Sequence, residues 1–469
     1  MSSTKQYLSW RTTAAVLVIA VLPASDAAAA PASVDMNSGG AAAFAFTQTT
    51  QAGRARLATV TRAADGSLSV GAHLSYIDSA LAAETPPVVL ADNGKATYAW
   101  LRGGDVQYRT RAAGGALSPV ANAFTANSNT DAQGVRLGVD DNGRVTIAWQ
   151  KITQTSGGVE RCQIQTARLA TNGALGAVRD VAGVMSASSC ICPNFPACTG
   201  SFNTAVNGAG EAVFTWTRDG SILTRVLSAS GTFSATRTVA ATPSVPANHL
   251  TAISPNGSIN YTWLDTSFDP TLKHVLRTRQ RSAAGAFGAR KTVVTVDTGG
   301  NPQAPQFDVD AADGASTIVY TRPNGGQFDS PVTVATRVLS GTTLGPATTL
   351  SASSASYPSA SGPTVSVDAT GGVTLAWVRR SGALLGDSRL EARTRPSATG
   401  NLSATRAVAG NGNDSIEGFR LDRVAGASIF AFSGFISDPS GALSGQFERV
   451  LQPNGTFTDT VSYAPTFAG

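Results

Sequence analysis

The chain has 469 residues and a formal net charge of +5, and only 14% of its residues are charged, against about 25% in an average soluble domain. A net charge this small and this dispersed argues against nucleic acid as a partner. Glycine is abundant, with 48 residues, which suits an all-β chain with many tight turns.

The N-terminus has the layout of a secretory signal peptide. Lys5 and Arg11 precede an apolar run over 13–22, and small residues over 27–30 offer cleavage sites. We therefore predict a signal peptide over 1–30 and a mature protein that is secreted or periplasmic. The apolar run is too short to span a bilayer, and no later segment approaches the roughly 20 apolar residues that a membrane helix needs. We expect no membrane span.

Beyond this leader, a two-part unit recurs eight times, at intervals of roughly 55 residues, which is the spacing of a repeat architecture. Its first half is an apolar-alternating strand, a turn built on Asp or Asn and Gly, and a second strand that ends on an aromatic residue. The closing aromatics are Phe46, Trp100, Trp149, Trp216, Trp263, Tyr320, Trp377 and Phe432. A second marker, Gly-x-Leu/Phe, counts the same unit at Gly66, Gly115, Gly173, Gly231, Gly285, Gly400 and Gly455, with a stretched copy at 341–344.

Each unit therefore predicts two hairpins, or four short strands. Four-stranded sheets repeated in series leave exposed edges unless the array closes radially. We predict one all-β domain over 31–469, a single β-propeller with eight blades. A seven-bladed ring is the competing prediction, if the unit around Phe46 lies outside it. The last unit carries a complete second hairpin, so we expect the ring to close by packing of the first and last blades rather than by strand exchange.

The repeated residues have structural interpretations. Asn93-Gly94, Asn142-Gly143 and Asn256-Gly257 suit the turn between the first two strands, because the Asn side chain can bond its own backbone and Gly tolerates a positive φ. The closing aromatics are expected to fill the space between neighbouring blades.

The connections divide between two faces of the predicted ring. The short turns within the two hairpins lie on one face, and the irregular connections lie on the other, at 264–273, 321–331, 379–387 and 433–444. We call this second face the variable face. Variable loops on a rigid scaffold are where binding sites are usually built.

All four cysteines map to the variable face. Cys162 begins the third strand of the third unit, and Cys190, Cys192 and Cys198 sit in an insertion near 184–199. An even cysteine count in an exported chain predicts disulfides, here two bridges with three possible connectivities. One of the two bridges is expected to join Cys162 to a cysteine of the insertion. No His lies nearby and the spacing is not a common zinc pattern, so we predict no metal site.

The blade plan is clearest at 363–368, 372–380, 390–395 and 400–403, which supply four successive strands. Their order and spacing resemble those of secreted bacterial sialidase-like, Asp-box propellers, over nearly the whole mature chain. The Ser-x-Asp-x-Gly-x-x-Trp box of that family is replaced by Arg-x-x-x-x-x-Gly-x-Leu/Phe-Ser, and 31–35 lacks the family's Arg-Ile-Pro motif. The resemblance therefore implies the fold and not sialidase chemistry.

Arginines supply the candidate ligand-binding site. Four of them follow a closing aromatic by two residues and so point the same way as the chain enters the variable face: Arg102, Arg218, Arg322 and Arg379. Such a ring could bind carboxylates, sulfates or phosphates bidentately. The alternative is that these are edge arginines whose stems cover apolar rings.

Further arginines occupy the first and third strands of the units. Arg136 and Arg420 interrupt first strands that are otherwise apolar or small, with Asp308 and His249 near the same level. They form either ligand-binding pairs or ion-paired core features. Arginines six residues before the turn glycine are expected to be solvated residues of outer strands: Arg109, Arg225, Arg279 and Arg449.

Catalytic signatures are sparse. No nucleophile elbow and no His-Glu-x-x-His motif occurs, and the acids available on the variable loops for glycoside hydrolysis are Asp265, Asp269, Asp329, Asp387 and Glu391. We favour a non-catalytic, monomeric, cofactor-free binding protein for glycans or other surface polymers. The alternative is a glycan-active hydrolase or lyase.

Overall fold

The computed structural model describes residues 32–49, 55–76, 85–155, 160–186, 202–241, 248–267, 273–297, 304–323, 331–381, 387–397, 400–410, 414–438 and 441–462. Within these ranges the chain forms antiparallel strands and no helix, so no helix in this part of the chain could cross a membrane. The strands form eight sheets, which are the blades of one β-propeller. The predicted fold is confirmed.

The strands of each blade pair in chain order, and we call them A to D. Blade 1 contains β1 (Ser33–Met36), β2 (Ala42–Thr49), β3 (Ala55–Arg62) and β4 (Ala72–Tyr76). Blade 2 contains β5 (Val88–Leu90), β6 (Ala96–Arg102), β7 (Asp105–Arg111) and β8 (Ala121–Phe124). Blade 3 contains β9 (Thr130–Val139), β10 (Val145–Gln154), β11 (Glu160–Leu169) and β12 (Arg179–Asp180), with β13 (Met185–Ser186) also on β11. Blade 4 contains β14 (Phe202–Val206), β15 (Ala212–Arg218), β16 (Ser221–Leu227) and β17 (Arg237–Ala241).

The second half of the ring repeats this plan. Blade 5 contains β18 (His249–Ile253), β19 (Ile259–Ser267), β20 (Lys273–Arg281) and β21 (Lys291–Asp297). Blade 6 contains β22 (Phe307–Ala312), β23 (Ala315–Pro323) and β24 (Val332–Ser340), with β25 (Thr343–Leu344) and β26 (Thr348–Ser351) both on β24. Blade 7 contains β27 (Ser359–Val367), β28 (Val373–Arg380), β29 (Ser388–Arg395) and β30 (Arg406–Ala409). Blade 8 contains β31 (Ser415–Val424), β32 (Ala427–Asp438), β33 (Gly441–Leu451) and β34 (Val461–Ser462).

The A strands form an inner ring. Each contacts the A strand of the next blade, from β1 through β5, β9, β14, β18, β22, β27 and β31, and β31 contacts β1 in turn. The unit around Phe46 is therefore a full blade inside the ring, and the seven-bladed alternative is wrong.

The A–B turns follow the chemistry expected from their sequence. The Asp140 carboxylate accepts a hydrogen bond from Arg144 N at 2.9 Å, and Asn207 caps Glu211 N in the same way at 2.9 Å. Gly143 has a φ of 76°, a left-handed conformation that favours glycine. Lys95 Nζ in the A–B turn of blade 2 donates to Thr171 O in the C–D turn of blade 3 at 3.1 Å. Both kinds of turn therefore lie on one face, as predicted.

The closing aromatics fill the gaps between blades, which confirms their expected role. Trp149, Trp216, Trp263 and Trp377 are at most 2% exposed. Trp149 packs against Val89, Ala99 and Tyr108 of the preceding blade. Burial of a large aromatic side chain removes 150–250 Å² from water, which stabilises the fold by about 4–6 kcal/mol per residue before conformational entropy is counted.

Blades 8 and 1 meet at what we call the closing interface, between β31–β33 and β1–β3. Its apolar part joins Phe44 and Phe46 to Ile429, Ala431 and Val450. Polar contacts accompany it. Ala32 N donates to Gln446 Oε1 at 3.0 Å, Met36 N donates to Asp422 Oδ2 at 2.6 Å, and Arg62 Nε lies 3.4 Å from Glu448 Oε1. Among the described strands each blade is contiguous in sequence, so the ring they form closes without strand exchange, as predicted.

Expectations about one variable loop and about the outer-strand arginines are wrong. In the segment 433–444, expected to be an irregular loop, the described residues 433–438 and 441–444 continue the β32–β33 ladder, with Ser433 opposite Gln446 and Asp438 opposite Gly441. Its small polar residues resemble a loop in sequence, but backbone pairing needs no particular side chain. The outer-strand arginines are the second exception.

Those arginines link neighbouring blades instead of extending into solvent. Each Nε donates to a carbonyl where strand D of its own blade begins, and each Nη1 donates to a carbonyl at strand D of the preceding blade. We call the six residues that share this geometry the interblade arginines: Arg109, Arg225, Arg279, Arg337, Arg393 and Arg449. An outer strand has carbonyls on its free edge, and the guanidinium fork satisfies carbonyls of two blades at once.

Candidate functional site

Three charged residues of the inner ring stand at one height. Strand register places Arg136 opposite Ala148, Asp308 opposite Val319 and Arg420 opposite Ala431. Each of these partners immediately precedes the closing aromatic of its blade. The prediction that Arg136, Asp308 and Arg420 share a level is therefore confirmed.

His249 does not belong to this level. It lies opposite Trp263 itself, one position away, so its side chain points to the other side of the strand. It is 4% exposed, and neither ring nitrogen has a well-aligned hydrogen bond. Burial lowers the pKa of His249 to about 4, with the Thr215 carbonyl opposing this shift and Arg136 adding to it. His249 is therefore a neutral residue packed between blades 4 and 5.

A second level of carboxyl groups lies two residues further along the A strands. Asp35 lies opposite Ala43, Asp310 opposite Thr317 and Asp422 opposite Ile429. Each partner is three residues before a closing aromatic. Sequence reasoning missed these three acids, although the two-residue spacing of Asp308 and Asp310, and of Arg420 and Asp422, contains the signal.

The carboxylates of these two levels join the inner strands. Asp308 accepts hydrogen bonds from Val309 N at 2.9 Å and from Val365 N of blade 7 at 3.0 Å. Asp310 does the same with Ala311 N at 2.8 Å and Val367 N at 2.7 Å. The inner edge of an A strand has no further strand to pair with, so the carboxylates satisfy N–H groups that the ladders leave free.

Asp35 and Asp422 extend this pattern across the closing interface. Asp35 Oδ2 accepts from Leu90 N of blade 2 at 2.5 Å, and Asp422 Oδ2 accepts from Met36 N of blade 1 at 2.6 Å. The two carboxyl groups are close enough to interact directly with each other. Blades 6, 8 and 1 thus bring four carboxyl groups to the inner ring.

Burial dominates the electrostatics of this cluster. It raises the pKa of Asp308 to about 6 and the pKa of Asp310 to about 7, against the opposing backbone hydrogen bonds. Burial and the neighbouring Asp422 carboxyl hold the pKa of Asp35 well above its usual range, and burial raises the pKa of Asp422. The Arg420 side chain reaches solvent but is closely surrounded by protein, which lowers its pKa, while Asp308 raises it.

The arginines that follow the closing aromatics divide into two groups. Arg102, Arg218 and Arg322 are exposed at the ends of β6, β15 and β23, in blades 2, 4 and 6. Arg218 lies 3.4 Å from Asp219, and both side chains are largely exposed. Arg379 is only 2% exposed. We call the three exposed residues the rim arginines.

Arg379 is held by the connection between blades 6 and 7. Its Nε donates to Ser351 Oγ at 2.9 Å, its Nη1 donates to Val332 O at 2.8 Å, and its Nη2 donates to Ala352 O. These contacts occupy the guanidinium with the scaffold and leave no exposed donor fork for a ligand.

Three of the acids considered for hydrolysis lie in described residues, and there Asp265 and Glu391 are bonded to side chains of different blades. Asp265 accepts from Trp263 Nε1 at 2.9 Å and contacts Arg277 Nε at 2.5 Å, within blade 5. Glu391 accepts from Trp377 Nε1 at 2.9 Å, within blade 7. Asp387 precedes β29 and its carbonyl accepts from Ser381 N. Asp269 and Asp329 lie outside the described residues.

Only one of the four cysteines expected to form disulfides lies in the described residues. Cys162 is 1% exposed in β11, within the core between blades 3 and 4. Cys190, Cys192 and Cys198, like the predicted signal peptide, lie outside the described residues. In the part of the chain that the structure describes, no group of His, Cys, Asp and Glu side chains is placed to hold a metal ion.

No protein-family model and no curated protein matches this sequence. Among solved structures, a PL25 ulvan lyase is similar over 85% of this chain and 88% of its own, at 8% identity and a TM-score of 0.42. The Hadza microbial sialidase Hz136 is similar over 70% of this chain and 71% of its own, at 11% identity and a TM-score of 0.33. A prolyl endopeptidase matches 90% of this chain at 10% identity and a TM-score of 0.41, and the chain spans 55% of its length.

Proposed function

We propose that the protein is an exported, non-catalytic propeller that binds glycans or other surface polymers on its variable face. The observation that carries this proposal is the exposure of Arg102, Arg218 and Arg322 at equivalent positions of three blades. The interblade arginines and Arg379 are engaged in hydrogen bonds of the scaffold, whereas the guanidinium groups of the rim arginines are accessible to a ligand.

The spacing of the rim arginines favours a polymer with repeated negative groups. They occupy alternate blades, and since packed sheets stand about 10 Å apart, neighbouring rim arginines are separated by roughly 20 Å. A guanidinium binds a carboxylate or sulfate through two parallel hydrogen bonds. A chain that reaches two of these positions at once gains affinity through its effective concentration at the second.

The carboxyl groups favour binding over hydrolysis. Asp265 and Glu391 are hydrogen-bonded to the tryptophans of different blades, and the inner Asp308 and Asp310 accept two backbone N–H groups each. One observation favours the alternative of a glycan-active hydrolase or lyase. Asp308, with its pKa raised to about 6 by burial, could serve as a general acid beside Arg420.

A glycan array on the purified mature protein tests the proposal, with sulfated, uronate-containing and neutral polysaccharides. We expect saturable binding to acidic polymers, weakened about tenfold in Arg218→Ala and Arg322→Ala, the size of one lost charged contact. Arg290→Ala removes an exposed outer-edge arginine and serves as the matched control. Reducing-sugar release is followed in the same samples.

Product release that survives the rim substitutions and disappears in Asp308→Asn would establish the enzyme instead. Retained affinity in both rim variants would remove the rim arginines from the site.

Export, two disulfides and a monomeric state belong to the same proposal. The signal-peptide layout at 1–30 and the four cysteines support it. Intact mass spectrometry of the secreted protein, with and without reduction, reports the cleavage position and the number of bridges. Light scattering reports the oligomeric state.

A further inference from the structure

The contacts of the closing interface show how blades 8 and 1 are held together, and the inference drawn from them does not depend on the proposed function. A propeller without strand exchange has no ladder joining its last blade to its first, so noncovalent contacts alone hold those blades together. On the inner side of this interface, Asp422 of β31 accepts a hydrogen bond from Met36 N of β1 at 2.6 Å. The two residues are 386 positions apart in the chain.

Asp35 of β1 precedes Met36 and occupies the position in its strand that Asp422 occupies in the adjoining strand β31. The two carboxyl groups therefore face each other across the interface, within reach of a direct hydrogen bond. A hydrogen bond between two carboxyl groups requires a proton, because two carboxylates have only acceptors. The carboxyl oxygens also accept backbone N–H groups, from Leu90 for Asp35 and from Met36 and Arg423 for Asp422. A direct hydrogen bond within the pair therefore depends on one shared proton.

The charged neighbours do not offset a second negative charge. Asp310 of β22 adds to the negative field, and Ser366 of β27 donates to Asp422 Oδ1 at 3.4 Å. Arg423 of β31 points away to Asp368, at 2.9 Å, and Arg62 of β3 is paired with Glu448 of β33. Arg420 acts on Asp308. No basic group contributes to the shifted pKa of Asp35 or of Asp422.

We propose that Asp35 and Asp422 form a proton-dependent latch that fastens blade 8 to blade 1. With one proton, the pair hydrogen-bonds across the closing interface. When the proton is lost, two adjacent carboxylates repel each other at the same point and the interface opens more often. The pKa of both groups is raised in the folded protein, so their stabilising contribution is present in acid and is lost as the pH rises through those values.

Hydrogen exchange at pH 5 and pH 8, corrected for the intrinsic rates, tests the latch directly. We expect peptides from 32–49 and 415–438 to lose about tenfold more protection at pH 8 than a reference peptide from 212–227 in blade 4, since one pKa unit corresponds to tenfold. Equal loss of protection in the closing interface and in blade 4 of the wild-type protein would overturn the proposal without any variant.

Asp35→Asn supplies the second arm, because an Asn amide donates a hydrogen bond to Asp422 at any pH. We expect this variant to lose most of the pH dependence at 32–49 and 415–438, and to melt about 1–2 °C above the wild type at pH 8. Asp422→Asn provides a second, independent removal of the titrating pair. Asp65→Asn is the matched control in blade 1, since Asp65 is exposed and bonded to Ser67. An undiminished pH response in Asp35→Asn would refute the latch.

Discussion

Arg279 of blade 5 donates a hydrogen bond from Nη1 to the carbonyl oxygen of Val239 in blade 4, at 2.5 Å. The same guanidinium donates from Nε to Gly288 O at 2.8 Å and stacks 4.6 Å from the centre of the Phe287 ring. Arg237 approaches that ring at 5.0 Å. Phe233 lies between Arg179 and Arg225 in a similar way. The outer edges of neighbouring blades are thus joined by guanidinium groups and aromatic rings where strand pairing is absent.

Substitution of Arg279 is expected to destabilise the ring. Arg279→Ala removes two charge-assisted hydrogen bonds and a cation–π contact, which we expect to cost about 2–3 kcal/mol in the free energy of unfolding. Arg279→Lys keeps the charge but not the fork and should recover less than half of the loss. Urea unfolding monitored by tryptophan fluorescence measures both, with the exposed rim variant Arg322→Ala, expected within about 0.5 kcal/mol of wild type, as control. A free energy of unfolding nearly unchanged in Arg279→Ala would contradict the proposed role of Arg279 in joining blades 4 and 5.

Arg379 and Arg322 occupy equivalent sequence positions and should respond differently. Arg379→Ala leaves the Val332 carbonyl and Ser351 hydroxyl without their buried donor, so we expect a loss of about 3 kcal/mol. Arg322→Ala should change the free energy of unfolding by less than about 0.5 kcal/mol, and its effect should appear in polymer binding. Thermal unfolding and binding measured on the same preparations separate the two. Equal destabilisation of both variants would show that exposure does not distinguish them.

The Arg62–Glu448 pair stabilises the closing interface, with side chains 9% and 3% exposed. Glu448→Leu leaves a buried guanidinium without its partner, and we expect it to cost about 3 kcal/mol. The double variant Arg62→Met with Glu448→Leu should recover much of that loss, because it removes both charges. A double-mutant cycle from urea unfolding checks this. Strictly additive losses would mean that the two side chains are not coupled.

The burial of His249 predicts that the folded protein loses stability in acid. The folded protein resists protonation of this buried imidazole until about pH 4, whereas the unfolded chain binds the proton near pH 6.5, so stability is lost as the pH falls between these values. His249→Leu should remove up to about 3 kcal/mol of this loss at pH 4 while changing little at pH 7.5. Melting temperatures at both pH values test it. His73→Gln, on the outer strand of blade 1, is the comparison and should remove less of the loss, because burial lowers the pKa of His73 to a smaller extent. If His249→Leu lost as much stability in acid as the wild type, protonation of His249 would not be the cause of that loss.

Local signals in the sequence were enough to predict the blades. The turn residues of Asp140 to Arg144 bond within four positions, and Gly143 adopts the left-handed φ that its turn requires. Trp149 and Trp377 end strands whose alternation already indicates a buried face. Such features depend on neighbours along the chain, so eight copies could be counted without knowing how they assemble.

The tertiary structure decided which side chains are available and which meet. Arg322 and Arg379 have the same spacing from their aromatics, but the connection after β26 covers only Arg379. Asp35 and Asp422 occupy equivalent positions of the first and last repeats, and only the closure of the ring brings these two positions together. The sequence by itself therefore determined the blade, its turns and their number, because those follow from backbone geometry over a few residues. Exposure and the pairing of charges depend on long-range packing, which only the closed ring determines.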